Sequence, residues 1–361
     1  MCRRPAPGAA YGTPMHRCPI GWSRRRRPVP RSSCLVGTLA EGGDDEGCPR
    51  HRGWGSGRRR AGAGGRRRVT SAGICGSDLH MIKQGPRLVT LGHEFAGLLD
   101  DGTAVAVSPV VECGRCGTCR SGQTHLCQHA ISRMYGVSRD GGMADEVVVD
   151  PASLVRLPAG VDPRAAALVE PIAVVVHGLN RIAIAAGQRV LVVGGGTIGL
   201  LTIAVARARG IEVDLIARHA CQIMAGEALG AGGQPLDPDR PDRTDRRYDV
   251  VIDAAGTQSS LDMAVARARR GGTLLALGTY WSPVRIDATL AAKEVTVVPA
   301  MLYGYHQGRR DFDEAAQLLA QSPEVPDLLV THRFPLEEAV EAFRAAGDRA
   351  TGSIKVQLGD G

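Results

Sequence analysis

The sequence predicts an α/β protein: a doubly wound parallel sheet domain, preceded by a mostly β region. Three observations lead there. Apolar strand and helix segments alternate between residues 189 and 277, the pattern of a parallel sheet with helices on both faces. A glycine turn, Gly194-Gly-Gly-Thr-Ile-Gly199, directly follows the first of these strands. Residues 69–158 instead carry short apolar runs and Gly-rich turns.

In chain order, Thr103–Val107 and Glu146–Val149 read as strands, with a turn at Asp140–Gly142 between them. Arg164–Ala185 reads as helix. Strands Arg189–Val193, Glu212–Ile216, Asp249–Asp253 and Thr273–Leu277 then alternate with helices Thr197–Arg207, Gln222–Leu229 and Leu261–Arg269. Two amphipathic helices, Arg310–Ala320 and Leu336–Ala345, precede a strand at Ser353–Leu358. The expected divisions are 1–68 as a basic low-complexity leader, 69–158 as the mostly β region, and 159–302 as the parallel-sheet domain. The most apolar run, Val190–Ala206, contains three consecutive glycines, so no membrane span is expected.

The chain has 361 residues and a formal charge of +7. That charge is uneven. Residues 1–70 hold 16 Arg and four acids, a net of +12, so the remaining residues carry −5. The basicity therefore argues for no nucleic-acid partner of the folded body. The leader, with 13 Gly and seven Pro, lacks the apolar residues to build a core. The preferred reading is a stretch foreign to the folded protein; a targeting segment and a basic arm are the alternatives. Ten cysteines without a secretory signal argue for metal binding or catalysis, and for a cytoplasmic setting.

Cys113-x2-Cys116-x2-Cys119-x7-Cys127 is the most specific feature. Four thiolates at this spacing can wrap one tetrahedral ion, zinc in preference to an iron–sulfur cluster. A ferredoxin-type motif would place its fourth Cys closer and follow it with Pro, whereas Gln128 follows Cys127. In the glycine turn, Gly194, Gly196 and Gly199 suit a dinucleotide pyrophosphate at a helix N-terminus, with Thr197 and Ile198 between them.

With Gly73-Ile-Cys-Gly-Ser-Asp-Leu-His80, Leu91-Gly-His-Glu-Phe-Ala-Gly97 and Val169-Glu-Pro171, these motifs resemble the zinc-dependent medium-chain dehydrogenase/reductase family over residues 69–361. The resemblance implies a Rossmann domain (159–302), a GroES-like catalytic domain formed from 69–158 with 303–361, one structural zinc on the four cysteines, and one catalytic zinc. Cys75 and His93 match ligand positions of that catalytic zinc, and Glu94 and Glu170 match two acids used as ligand or exchanging neighbour. Ser77 and His80 match a proton relay from substrate to solvent, and Asp78 the carboxylate that orients the ligand His. The implied reaction oxidises a small secondary alcohol or polyol to a ketone, or the reverse. Zinc holds the substrate oxygen and nicotinamide exchanges hydride. A zinc-free quinone-type reductase is disfavoured by Cys75, His93 and the cysteine lobe.

NAD recognition calls for an acid about twenty residues beyond the glycine turn. That position is Ala217, with Arg218 next, while Glu212 and Asp214 lie too early. NADP is therefore expected over NAD, with Arg218 on the 2′-phosphate. A homodimer or homotetramer is expected by family analogy, through the strand Val295–Pro299. One departure stands out: the chain resembles the family only from Val69, six residues before Cys75. Cys75 is thus expected on a sheet with missing neighbours and exposed edges, with a short span to His93 and a poorly held catalytic zinc. An impaired or inactive zinc- and nucleotide-binding homologue is the alternative function.

Overall fold

A computed structural model describes residues 66–236 and 246–359. The expectations for residues 1–65 lie outside these. The elements are β1 (Arg66–Gly73), α1 (Gly76–Lys83), β2 (Glu94–Leu98), β3 (Ala104–Val107), α2 (Gly117–Arg120), β4 (Glu146–Val148), β5 (Leu154–Arg156) and α3 (Val169–Asn180). Next come β6 (Val190–Val193), α4 (Thr197–Ala208), β7 (Val213–Ile216), α5 (Ala220–Ala228), β8 (Gly232–Leu236), β9 (Tyr248–Asp253), α6 (Gln258–Arg267) and β10 (Ala268–Ala276). The rest are α7 (Ala288–Ala292), β11 (Thr296–Pro299), β12 (Tyr305–His306), β13 (Arg309–Arg310), α8 (Asp311–Gln321), α9 (Val325–Leu329), β14 (Val330–Phe334), α10 (Ala339–Gly347) and β15 (Lys355–Gly359).

The parallel sheet runs β11-β10-β9-β6-β7-β8. Its central strand β6, Val-Leu-Val-Val, is buried throughout, as a strand covered on both faces must be. The winding reverses between β6 and β9, which pair directly. In sheets of this kind the ligand crevice lies beyond the carboxyl ends of the strands at such a reversal, which is where the glycine turn stands.

Helix α3 is shorter than the expected Arg164–Ala185, beginning at Val169 and ending at Asn180. Pro171 explains the start. Its ring cannot donate to the helix ladder and clashes with the carbonyl four residues back, so it is tolerated only in the first turn. The helix joins the two domains. One apolar cluster runs from Ala96 and Ala106 of the mixed sheet through Ile172 and Val176 to Val192 of β6 and Phe312 of α8.

The mixed sheet runs β14-β15-β1-β2-β3-β5, with β4 also on β1. Its strand β1 begins at Arg66, so the last three leader residues belong to the folded body. Arg66–Arg68 pair with Val148–Glu146, Ser71–Gly73 pair with Gly359–Gln357, and β2 lines the opposite side from Arg68 to Gly73. The expected open edge beside Cys75 is thus overturned. The strand leading to it has neighbours on both sides, drawn from far along the chain.

Candidate active site and metal centres

The four-cysteine lobe is compact. Sulfur separations are 3.4 Å for Cys116–Cys119 and 3.9 Å for Cys113–Cys119 and Cys116–Cys127. Zn–S bonds of about 2.3 Å in a tetrahedron place sulfurs about 3.8 Å apart, so the set fits that ion. Backbone N–H groups of Cys116 and His129 donate to the sulfurs of Cys113 and Cys127 at 3.4 Å. Hydrogen bonding from Thr118 lowers the Cys116 thiol to about 5, whereas desolvation and its sulfur neighbours push Cys119 up to about 12.

The second cluster starts where β1 ends. Cys75 caps the N-terminus of α1, and its N–H donates to Asp78 Oδ2 at 2.9 Å. The other oxygen of Asp78, a fully buried residue, lies 3.4 Å from His93 Nδ1. That contact aims Nε2 towards Cys75, and one ligand atom each from Cys75, His93 and Glu94 lie within 4.8 Å of one another. The short span from Cys75 to His93 is no obstacle. Behind His93 the chain is packed backbone to backbone: a Cβ on Gly136 would meet the His93 nitrogen at 2.5 Å. Ser77 Oγ stands 3.3 Å from His93 Nε2, and His80 lies exposed further along α1.

Burial opposes a charge on His93, but Asp78 and Cys75 outweigh it and raise its pKa well above the usual value. Burial raises Glu170 to about 7, reinforced by Glu94 and opposed by His93 and Lys355. Glu170 stays outside the close trio of Cys75, His93 and Glu94, as a buried neighbour. A thiolate, an imidazole and a carboxylate, with the second imidazole nitrogen beside the Asp78 carboxylate, suit a catalytic zinc with an open position.

Lys355 was not singled out from the sequence. Its Nζ lies 2.9 and 2.6 Å from the two Glu94 oxygens and 3.2 Å from the Ile74 carbonyl. The only signal was a lysine inside the otherwise apolar run Ile354–Val356.

At the glycine turn, Gly194 has φ of +107°, and a Cβ on Gly199 would strike the Gly194 carbonyl at 1.8 Å. Only glycine serves at either place. The space beside Gly196 is open. The Thr197 hydroxyl donates to the Ile354 carbonyl at 3.0 Å, and Ile198 packs on the core. The N–H groups of both residues lie in the first turn of α4 and have no helical partner. Ala217 is buried just past β7, and Arg218 is exposed with no ion pair among the described residues. Asp214 is engaged by the Tyr248 hydroxyl at 2.8 Å.

A family model for the alcohol dehydrogenase GroES-like domain matches residues 68–159, and one for the glucose dehydrogenase C-terminus matches residues 163–358. The L-galactonate-5-dehydrogenase of Escherichia coli K12 is 34% identical over 301 residues, 76% of this chain and 86% of that protein. A sorbitol dehydrogenase from Halalkalibacterium halodurans is 30% identical, covering 81% and 90%. Among solved structures, one described as a zinc-binding dehydrogenase from Sinorhizobium meliloti 1021 bound to NADP matches with a TM-score of 0.72 and 30% identity, over 82% of this chain and 91% of that one.

Proposed function

The chain belongs to the zinc-dependent medium-chain dehydrogenase/reductase family, and on that premise we propose that it interconverts a secondary alcohol of a polyol or sugar acid with its ketone, using NADP. The cluster of Cys75, His93 and Glu94, backed by Asp78 and flanked by Ser77, carries this reading. Cys75, His93 and Glu94 would hold the catalytic zinc, with Glu170 as exchanging neighbour, and Cys113, Cys116, Cys119 and Cys127 the structural one. When bound, zinc polarises the substrate oxygen and the nicotinamide accepts or returns hydride. Ser77 takes the substrate hydroxyl proton and His80, at the surface, passes it to solvent. Asp78 keeps the His93 ring in place throughout.

Gly194, Gly196 and Gly199 let the N–H groups at the start of α4 approach the pyrophosphate. Arg218 supports the 2′-phosphate, where a carboxylate at Ala217 would repel it. Association into a homodimer or homotetramer would use the edge strand β11, where Val297 is 41% exposed and Met301 beyond it 56%. Among the described residues no helix is long and apolar enough to cross a membrane, and six cysteines are free. Both suit the proposed cytoplasmic setting.

Purified protein assayed with polyols and sugar acids tests the reading. NADP-linked turnover that is lost on zinc chelation supports it. A preference of about tenfold or more for NAD would overturn the cofactor assignment, since one charge-assisted bond to phosphate is worth that much.

A further inference from the structure

Trp281 has no part in the reading so far, although it lies over the His80 ring. The two ring centroids are 4.7 Å apart with planes inclined by 9°. That is a stacked pair at favourable separation. The partners come from different domains: His80 from α1, which starts at Cys75, and Trp281 from the segment after β10 of the parallel sheet.

The segment carrying Trp281 is anchored. Tyr280 donates its hydroxyl to Asp253 Oδ2 at 2.7 Å, and the fully buried Asp253 also accepts from Ser260 Oγ and from the N–H groups of Ala255 and Gly256. Asp253 ends β9, beside the glycine turn: a Cβ on Gly194 would touch Ala255. A Cβ on Gly278 would collide with the Gly256 nitrogen at 2.3 Å, so this floor of the crevice has little room to shift. Trp281 thus reaches from a fixed part of the nucleotide domain, with 40% of its surface exposed. His80, by contrast, has no hydrogen-bonding partner among the described residues to fix its ring.

We propose that Trp281 is a positioning residue for His80: its stacked indole fixes the imidazole plane across the crevice and ties the relay to the placement of the nucleotide domain. The inference rests on the relay reading above. The indole takes no proton and touches no reacting atom. It restricts the imidazole to orientations that can receive a proton on the Ser77 side and release it to water on the other.

The test uses the full chain with W281A, W281F, H80Q and the double variant W281A/H80Q, each checked for unchanged zinc content and melting. An aromatic stack of this kind corresponds to about 3- to 10-fold in rate. W281A should lower kcat by about that factor with the KM for cofactor little changed, and W281F should restore most of the loss. In the H80Q background W281A should cost little more. Trp281 is the single tryptophan outside Trp22 and Trp54, so in a W22F/W54F background its emission should rise in H80Q as the stacked imidazole is removed. A slow H80Q with W281A at the wild-type rate overturns the inference and leaves the relay standing. An H80Q at the wild-type rate removes the relay and this inference with it. Equal losses from W281A in both backgrounds, or an unchanged emission, also overturn it.

Discussion

Lys355→Met should destabilise the protein through the charge it leaves behind. In the native structure Nζ sits 2.6 and 2.9 Å from the Glu94 oxygens, with the two side chains 3% and 2% exposed. At that range the attraction is about 6 kcal/mol for an effective dielectric of about 20. Desolvation offsets most of this, so the pair itself adds little net stability. Removing one partner is different, because Glu94 is then a buried carboxylate beside Glu170, and such a loss costs about 3–5 kcal/mol. At about 2 °C per kcal/mol for a chain of this size, melting should fall by roughly 6–10 °C. Glu94→Gln in the same chain removes the stranded charge, so the double variant should recover at least half of the loss. Burial works to lower the Lys355 pKa, but Glu94 and Cys75 overcome it and the folded value is raised. Its stabilisation is therefore present below the unfolded lysine pKa and lost as pH rises through the folded one. Calorimetry of chelator-treated protein reads all three variants. A Lys355→Met melting within about 2 °C of wild type, or losses that simply add in the double variant, would refute the reasoning.

Asp311 is 1% exposed and bonds to His177 Nδ1, Asn180 Nδ2 and the Gly304 N–H at 2.9–3.0 Å. Burial opposes its ionisation, but these partners prevail and depress its pKa. Its stabilisation is present above the unfolded carboxylate range and lost as pH falls through the folded value. Asp311→Asn should therefore cost about 2–4 kcal/mol at neutral pH and flatten the acid limb of a stability–pH curve; an unchanged acid limb counts against it. Cys116→Ser should lower the zinc content by one ion per chain and speed hydrogen exchange within 113–127, and retention of both ions would contradict the lobe's assignment. Gly199→Ala places a methyl 1.8 Å from the Gly194 carbonyl. It should weaken NADP binding about tenfold or more in calorimetric titration while zinc content holds.

Features written within a few residues were legible. The cysteine spacing and the strand–glycine–helix run need no distant partner to be recognised, and both stand where expected. Cys75, His93 and Glu94 required the family resemblance, because spacing alone does not bring them together. What escaped was set by remote pairing. Arg66–Arg68 read as leader because three arginines carry no strand period, yet pairing with β2 and β4 makes them strand. Lys355 read as an ordinary strand residue, since its burial depends on Glu94, 261 residues away. Trp281 gave no local sign that its ring meets His80.

The 261 residues between Glu94 and Lys355 also impose a timetable on the ribosome. At roughly 5–20 residues per second, Glu94 leaves the exit tunnel roughly 13–50 s before its counter-cation. The whole parallel sheet is synthesised in that interval, and β15, which flanks β1, is not yet available to pair with it. During elongation the growing chain therefore carries Glu94 without the lysine that pairs with it in the finished fold. The pairing of Glu94 thus waits for the close of translation, whereas the four-cysteine cluster, local in sequence, can gather while synthesis continues.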